Sequence, residues 1–203
     1  MSVESCREKI VNGALQMFLA EGIKNVTMDR IAASLSVSKR TIYEHFSGKE
    51  ELVEDCLALF KRQYEEMTNK LKEESENSFV FLLSMIQRTI MLVRKINRNF
   101  FSDMETIFAK QQEQAKMDKV AMQKEFSDLL LQSQNDAFIQ KDLSPEILSM
   151  MYYGMLTSLR DKSSYDFNKF SFPDVLQVFV LTFFRGVATE KGLKLIEKYD
   201  IKQ

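Results

Sequence analysis

The sequence predicts an all-α fold in two parts, a three-helix N-terminal domain over residues 1–48 and a longer helical domain over 49–203. Three observations predict it. Only six Gly and two Pro occur in 203 residues, too few for a turn-rich β architecture. Apolar residues recur at helical spacing along most of the chain. Finally, residues 27–49, TMDRIAASLSVSKRTIYEHFSGK, fit two short helices around a tight turn.

In that stretch Thr27 is a good N-cap, and Ile31, Ala32 and Leu35 fall on one helical face after it. Ser36 and Val37 make the turn. Ser38 caps a second helix over 39–44, which docks through Val37, Ile42 and Phe46. Lys39, Arg40, Thr41 and Tyr43 then point outward. A short helix with basic, hydroxyl and aromatic groups on its free face suits the major groove of DNA. Charge agrees with this. Between residues 24 and 49 lie Lys24, Arg30, Lys39, Arg40 and Lys49 against Asp29 and Glu44, a local +3 in a chain of net charge −1. A basic face on a neutral or acidic body favours specific docking over indiscriminate binding.

Thr27, Ile31, Ala32, Val37, Ser38, Thr41, Ile42, Tyr43, His45, Phe46, Lys49 and Leu52 carry a family resemblance. Over about its first sixty residues the chain resembles the tetracycline-repressor (TetR) family of bacterial transcription regulators. The remainder is similar to the family only in length and helical character. The resemblance implies a helix-turn-helix DNA-binding domain followed by a helical ligand-binding and dimerisation domain. It implies DNA contacts from Thr27, Ser38, Lys39, Arg40, Thr41, Tyr43, His45 and Lys49. Arg40 is the candidate for bidentate guanine readout, with a phosphate or solvent contact as its plainer alternative. Tyr43, Thr27 and Lys49 are candidates for phosphate, and partial packing is the plainer reading of Tyr43. Where the family usually carries Gly in the turn, this chain has Ser36, so a left-handed backbone there costs modest strain.

Around that stretch the elements follow in order. Residues 4–21 form a supporting helix through Ile10, Val11, Ala14, Met17 and Phe18, ended by Gly22. Ser47 and Glu50 read as a capping box opening a helix that runs to residue 74, with Leu52, Cys56, Leu59, Phe60, Met67 and Leu71 on one face. After a polar break, residues 79–96 are apolar nearly all round, as for a helix central to its domain. Asn97, Arg98 and Asn99 interrupt, and an aromatic segment spans 100–109. Residues 111–139 read as a long helix with Val120, Phe126, Leu129, Leu130 and Phe138 inward. Ser144 and Pro145 start the next helix, in which Gly154 and Ser158 make a small-residue notch. A polar loop over 162–170 leads to the helix opened by Pro173. That helix is apolar on most faces, so a second copy of the chain is the simplest outer cover. A homodimer through the helices starting at Pro145 and Pro173 is expected. The tail after Gly192 is expected to form one loosely packed helix.

Other function classes find little support. Cys6 and Cys56 lack metal-ligand spacing, and His45 is the only histidine, so no metal, cofactor or catalytic group is expected. The polar first nine residues lack a signal-peptide pattern, and no run of eighteen apolar residues occurs, which reads as a cytoplasmic chain without a membrane span. Twelve Met and sixteen Phe allow two readings, a core of adaptable side chains or a ligand cavity. The resemblance favours the cavity, with Phe101, Met104, Phe108, Phe126, Met151 and Phe179 as candidate lining for an apolar or amphipathic effector. The expected function is a regulator, more often a repressor in this family, that binds a pseudo-palindromic double-stranded operator as a dimer and leaves it on binding that effector. The alternative is a helical small-molecule or lipid carrier without sequence-selective DNA binding.

Overall fold

The computed structural model describes residues 5–108, 112–160 and 169–199. Among these residues ten helices follow one another: α1 (Cys6–Glu21), α2 (Met28–Leu35), α3 (Lys39–His45), α4 (Lys49–Glu74), α5 (Ser78–Lys95), α6 (Arg98–Phe108), α7 (Gln112–Asn135), α8 (Pro145–Arg160), α9 (Phe172–Val187) and α10 (Glu190–Lys198). They divide into two compact units. The first takes the described residues of Met1–Asn69 and Lys95–Lys110, the second those of Lys70–Arg94 and Gln111–Gln203.

In the first unit a capping box starts α1. The Ser5 hydroxyl accepts the Glu8 N–H at 3.2 Å and the Glu8 carboxylate accepts the Ser5 N–H at 2.8 Å. Gly22 ends the helix at φ 88°, its N–H returning to the Phe18 carbonyl at 2.9 Å. Ile10, Ala14, Leu15 and Phe18 of α1 are buried with Ile31, Ile42, Phe46, Leu52 and Cys56. Helix α6 packs on α1 in this same unit. The Asn97 N–H donates to the Leu19 carbonyl at 2.7 Å, and the Phe100 ring meets Phe60 edge-on at 5.5 Å.

The start of α4 differs from expectation. Helix α4 begins at Lys49, so Gly48 occupies the cap position and Ser47 lies one residue outside. It is Glu51, not Glu50, that reaches back, accepting the Ser47 N–H at 2.7 Å and its hydroxyl at 2.8 Å. The shift by one residue puts the acid three places after the cap, where a capping carboxylate can reach backbone N–H.

The second unit is built on the first half of α5. Phe79, Phe81, Leu82, Leu83 and Ile86 are buried on every side, joined by Leu130, Leu148, Leu176, Val180 and Phe184. Further along α5 the expected all-round burial fails, and Met91 is 42% exposed. Helix α7 stops at Asn135, short of 139, because Ala137 turns left-handed at φ 60°. Phe138 is therefore buried in a connecting segment rather than on a helix face. Ile139 forms an antiparallel bridge with Ala188, and the Thr189 N–H donates to the Phe138 carbonyl at 3.0 Å. Val120, expected inward, is 65% exposed.

Nor is the C-terminal helix loose. Thr189 caps α10, Ile196 is 3% exposed, and Gly192 sits so close to the Phe138 carbonyl that a Cβ there would collide with it. Of the loop read over 162–170, only residues 169–170 are described.

Helix α8 opens at Pro145 as the sequence indicates, whereas α9 starts one residue before the expected Pro173, at Phe172 after the cap Ser171. The Ser144 hydroxyl accepts the Ile147 N–H at 3.2 Å, and the Ser171 hydroxyl accepts that of Asp174 at 3.3 Å. Leu148 and Leu159 of α8, and Leu176, Val180, Phe184 and Val187 of α9, turn into the core. Ile147, Met150, Met151, Met155 and Val178 remain exposed, and the space where a Cβ would stand at Gly154 and Gly186 is open.

Candidate nucleic-acid interface

Helices α2 and α3 form a helix-turn-helix whose turn depends on one residue. Ser36 has φ 53° and ψ 41°, the left-handed conformation, and its N–H returns to the Ala32 and Ala33 carbonyls. The Val37 N–H closes on the Ala32 carbonyl at 3.0 Å. The strain foreseen for Ser at this position is therefore present. Both helices are capped by hydroxyls. Thr27 Oγ1 accepts the Arg30 N–H at 3.3 Å, and Ser38 Oγ accepts the Thr41 N–H at 2.9 Å. Thr41 Oγ1 lies 2.8 Å from Ser38 Oγ, so both hydroxyls are fixed at the start of α3. Ile42, fully buried, and Phe46, at 1% exposure, hold α3 against its neighbours.

This docking leaves a polar outer surface. Arg40 has an 89% exposed side chain, and its Nε donates to Glu44 Oε1 at 3.1 Å, one turn along the same helix. Lys39 Nζ lies 2.7 Å from Asp29 of α2, and that carboxylate, as hydrogen-bond partner and as charge, holds the amine above its ordinary pKa. Tyr43 is 47% exposed, while Thr41 and His45 are half-buried. Sequence reasoning did not single out Asp29 or Glu44 as partners. The i,i+4 spacing of Arg40 and Glu44 was a legible signal, whereas the pairing of Asp29 with Lys39 needs the turn between the helices.

Lys49 lies in the first turn of α4. Its Nζ is 3.5 Å from the Lys24 carbonyl and 6.0 Å from the centre of the Phe18 ring. Partial burial lowers its pKa, opposed by the charge of Asp103. Asp103 of α6 is the one buried carboxylate among the described residues. It accepts the Lys24 N–H at 2.9 Å and lies 3.4 Å from Lys24 Nζ. Thus Asp103 fixes Lys24, whose carbonyl in turn receives Lys49. No local sequence pattern marks this arrangement.

The residues considered for a ligand cavity are drawn from both units. Phe101 and Met104 are half-buried on α6 of the first unit. In the second unit Phe126 and Phe179 share a neighbour, Tyr152, whose ring centre lies 4.6 Å from Phe126 and 5.5 Å from Phe179. Met151 does not join them and is 57% exposed, because the core face of α8 is the one carrying Leu148 and Tyr152. The Phe108 side chain lies outside the described residues.

Neither thiol stands beside a metal-ligand set, and among the described residues no three His, Cys, Asp or Glu side chains are grouped to hold a metal ion. Cys56 donates to the Val11 carbonyl at 3.4 Å, and burial pushes its thiol up to about 12. Among the described residues no helix is long and apolar enough to cross a membrane.

Residues 10–56 match the family described as bacterial regulatory proteins, tetR family. The chain is 38% identical over 55 residues to the HTH-type transcriptional regulator SrpR of Pseudomonas putida, covering 27% of this chain and 26% of that protein. The match thus spans about a quarter of that relative's length. A longer likeness, 25% identity over 169 residues, covers 81% of this chain and 87% of the uncharacterized HTH-type transcriptional regulator YvaF of Bacillus subtilis. Among solved structures, a TetR-family transcriptional regulator from Marinobacter aquaeolei has the same fold, with a TM-score of 0.68 and 19% identity over 96% of this chain and 98% of that one.

Proposed function

We propose, from the premise that this chain belongs by its residues 10–56 to the tetR family of bacterial regulatory proteins, that it is a dimeric transcriptional regulator, acting as a repressor, that reads a two-fold symmetric DNA operator. The observation that carries the reading is the surface of α3. Two side-chain hydroxyls are fixed at its first turn, two cations and a tyrosine lie outside, and two buried side chains hold it in place. Such a helix is a rigid body that can enter a major groove by its N-terminal end.

In this reading residues 1–48 bind DNA and residues 49–203 dimerise and sense. Arg40 reads guanine, and Lys39 and Thr41 each contact base or backbone. Thr27, Ser38, Tyr43, His45 and Lys49 fix the register on the phosphates. Phosphate contacts position the protein and base contacts specify the sequence. Lys49 is well placed for phosphate because the first N–H groups of α4 are already unpaired there. Dimerisation through α8 and α9 is supported by the apolar surface that one chain leaves exposed at Ile147, Met151, Met155 and Val178, beside the open space at Gly154 and Gly186. A small apolar effector held among aromatic side chains such as Phe126 and Phe179 would favour a dimer whose recognition helices no longer match the operator. Its binding and DNA binding would then oppose each other by the same factor.

The test is a gel-shift titration with DNA from just upstream of the chain's own gene, at two salt concentrations, in excess unrelated DNA. The expected result is a complex that survives the competitor and weakens steeply with salt. A chain that binds no DNA at low salt but takes up an apolar dye would favour the carrier reading instead.

A further inference from the structure

We infer that Glu44 is a positioning residue for base readout: it holds the Arg40 guanidinium so that only its terminal Nη1/Nη2 fork is presented to DNA. This rests on the reading of Arg40 as the guanine reader. The guanidinium offers five N–H donors in a planar fork. It can grip guanine O6 and N7 by its two terminal nitrogens, or sideways by Nε and one Nη. Here Nε is occupied by Glu44 Oε1 at 3.1 Å, while neither Nη has a partner among the described residues. The sideways mode is thus closed and the end-on mode open.

Geometry favours a persistent arrangement. Arg40 and Glu44 are four residues apart on a helix whose start is capped by Ser38 and whose body is anchored by the buried Ile42 between them. In water an exposed pair of this kind contributes little to stability. In a groove the consequence is different. Every rotamer of Arg40 that leaves Glu44 places an unpaired carboxylate among phosphates. The end-on rotamer keeps the carboxylate neutralised while the fork meets the base. The same charge also weakens attraction to DNA of any sequence. Glu44 therefore exchanges indiscriminate affinity for discrimination at one base pair. Lys39 is not interchangeable in this role, because its own acid, Asp29, comes from α2.

The experiment compares base preferences, position by position, after selection from a random duplex library by the full chain and by R40A, E44A, E44Q and the double variant. All four variants change only Arg40 and Glu44 on the exposed face of α3, so folding is checked by circular dichroism with no change expected. In the wild type one symmetric pair of positions should demand guanine, and R40A should lose that demand. E44A should weaken it about tenfold, leave other positions unchanged, and bind bulk DNA as well as the wild type or better. E44Q, which keeps an acceptor for Nε, should retain the preference in part. In the R40A background, E44A should have no further effect on sequence preference. A full guanine preference in E44A would overturn the inference while leaving Arg40 as reader. Altered preference at a different position would overturn it too, since Glu44 would then read a base directly. If R40A itself retains every preference, the underlying reading of Arg40 fails, and the role of Glu44 with it.

Discussion

Ser36 and Cys56 show how far single residues are set by their surroundings. Ser36 holds φ 53° with no Gly to relieve it, and an L-residue in that region costs about 1–2 kcal/mol, part of which Gly returns as entropy of the unfolded chain. Ser36→Gly is expected to raise stability by up to about 1 kcal/mol, seen as a higher urea midpoint with unchanged slope. A lower midpoint would mean the hydroxyl contributes more than the strain costs. Cys56 is buried, with its thiol pushed up to about 12, whereas Cys6 is exposed. Since the thiolate is the reactive form, native protein at pH 8 should take up one equivalent of iodoacetamide, at Cys6, and two only when unfolded. Lys49→Ala should weaken binding to all DNA sequences alike and lower the salt slope by about one unit. An unchanged slope would leave Lys49 as the cover of Phe18 and a partner of Lys24 only. The Thr27 and Ser38 caps and the Ser36 turn were legible in the sequence because each depends on residues within a few positions. The Asp103–Lys24 pair was not, since 79 residues separate its partners.

At the scale of elements, several boundaries set by local chemistry were foreseen, although the cap of α4 falls one residue later than read, and boundaries set by distant partners were not. Ser144 with Pro145 and Gly22 mark their helix ends correctly, because caps and stops act over a single turn. Helix α7 ends early for a tertiary reason. Phe138 and Ile139 leave the helix to pair with the segment 187–189, and no periodicity in residues 111–139 announces that. The same pairing explains α10, which was expected to pack loosely and is instead held at Gly192 and Ile196. Gly192→Ala places a methyl group against the Phe138 carbonyl, so a loss of about 1–3 kcal/mol is expected from denaturant titration. A neutral result would show that α10 can shift without cost. The apolar character of α5 was read correctly in kind but too far in extent. Its first half is surrounded, and the second half leaves Met91 to solvent.

For the whole molecule, the helical class followed from composition and periodicity alone, and the proposed DNA-reading surface from the close spacing of residues 27–49. The cavity was less legible. Met and Phe fill cores and line pockets alike, so composition did not separate Met151, which is exposed, from Phe126, which is buried. The exposed apolar side chains on α8 and α9 support the proposed dimer interface there. Val178→Asp should therefore give a species near the 23.7 kDa chain mass in sedimentation at micromolar concentration, where the wild type is expected at twice that. Equal masses for the two would remove this face from the dimer. Dimer symmetry and groove readout meet in a single observable. The wild-type chain, used to select from a random duplex library, should enrich an inverted repeat whose half-site centres lie about 34–36 Å apart, or a multiple of that. A library that emerges without any enriched sequence, or with one unrepeated half-site, would contradict the account of this chain as a dimeric, sequence-reading regulator.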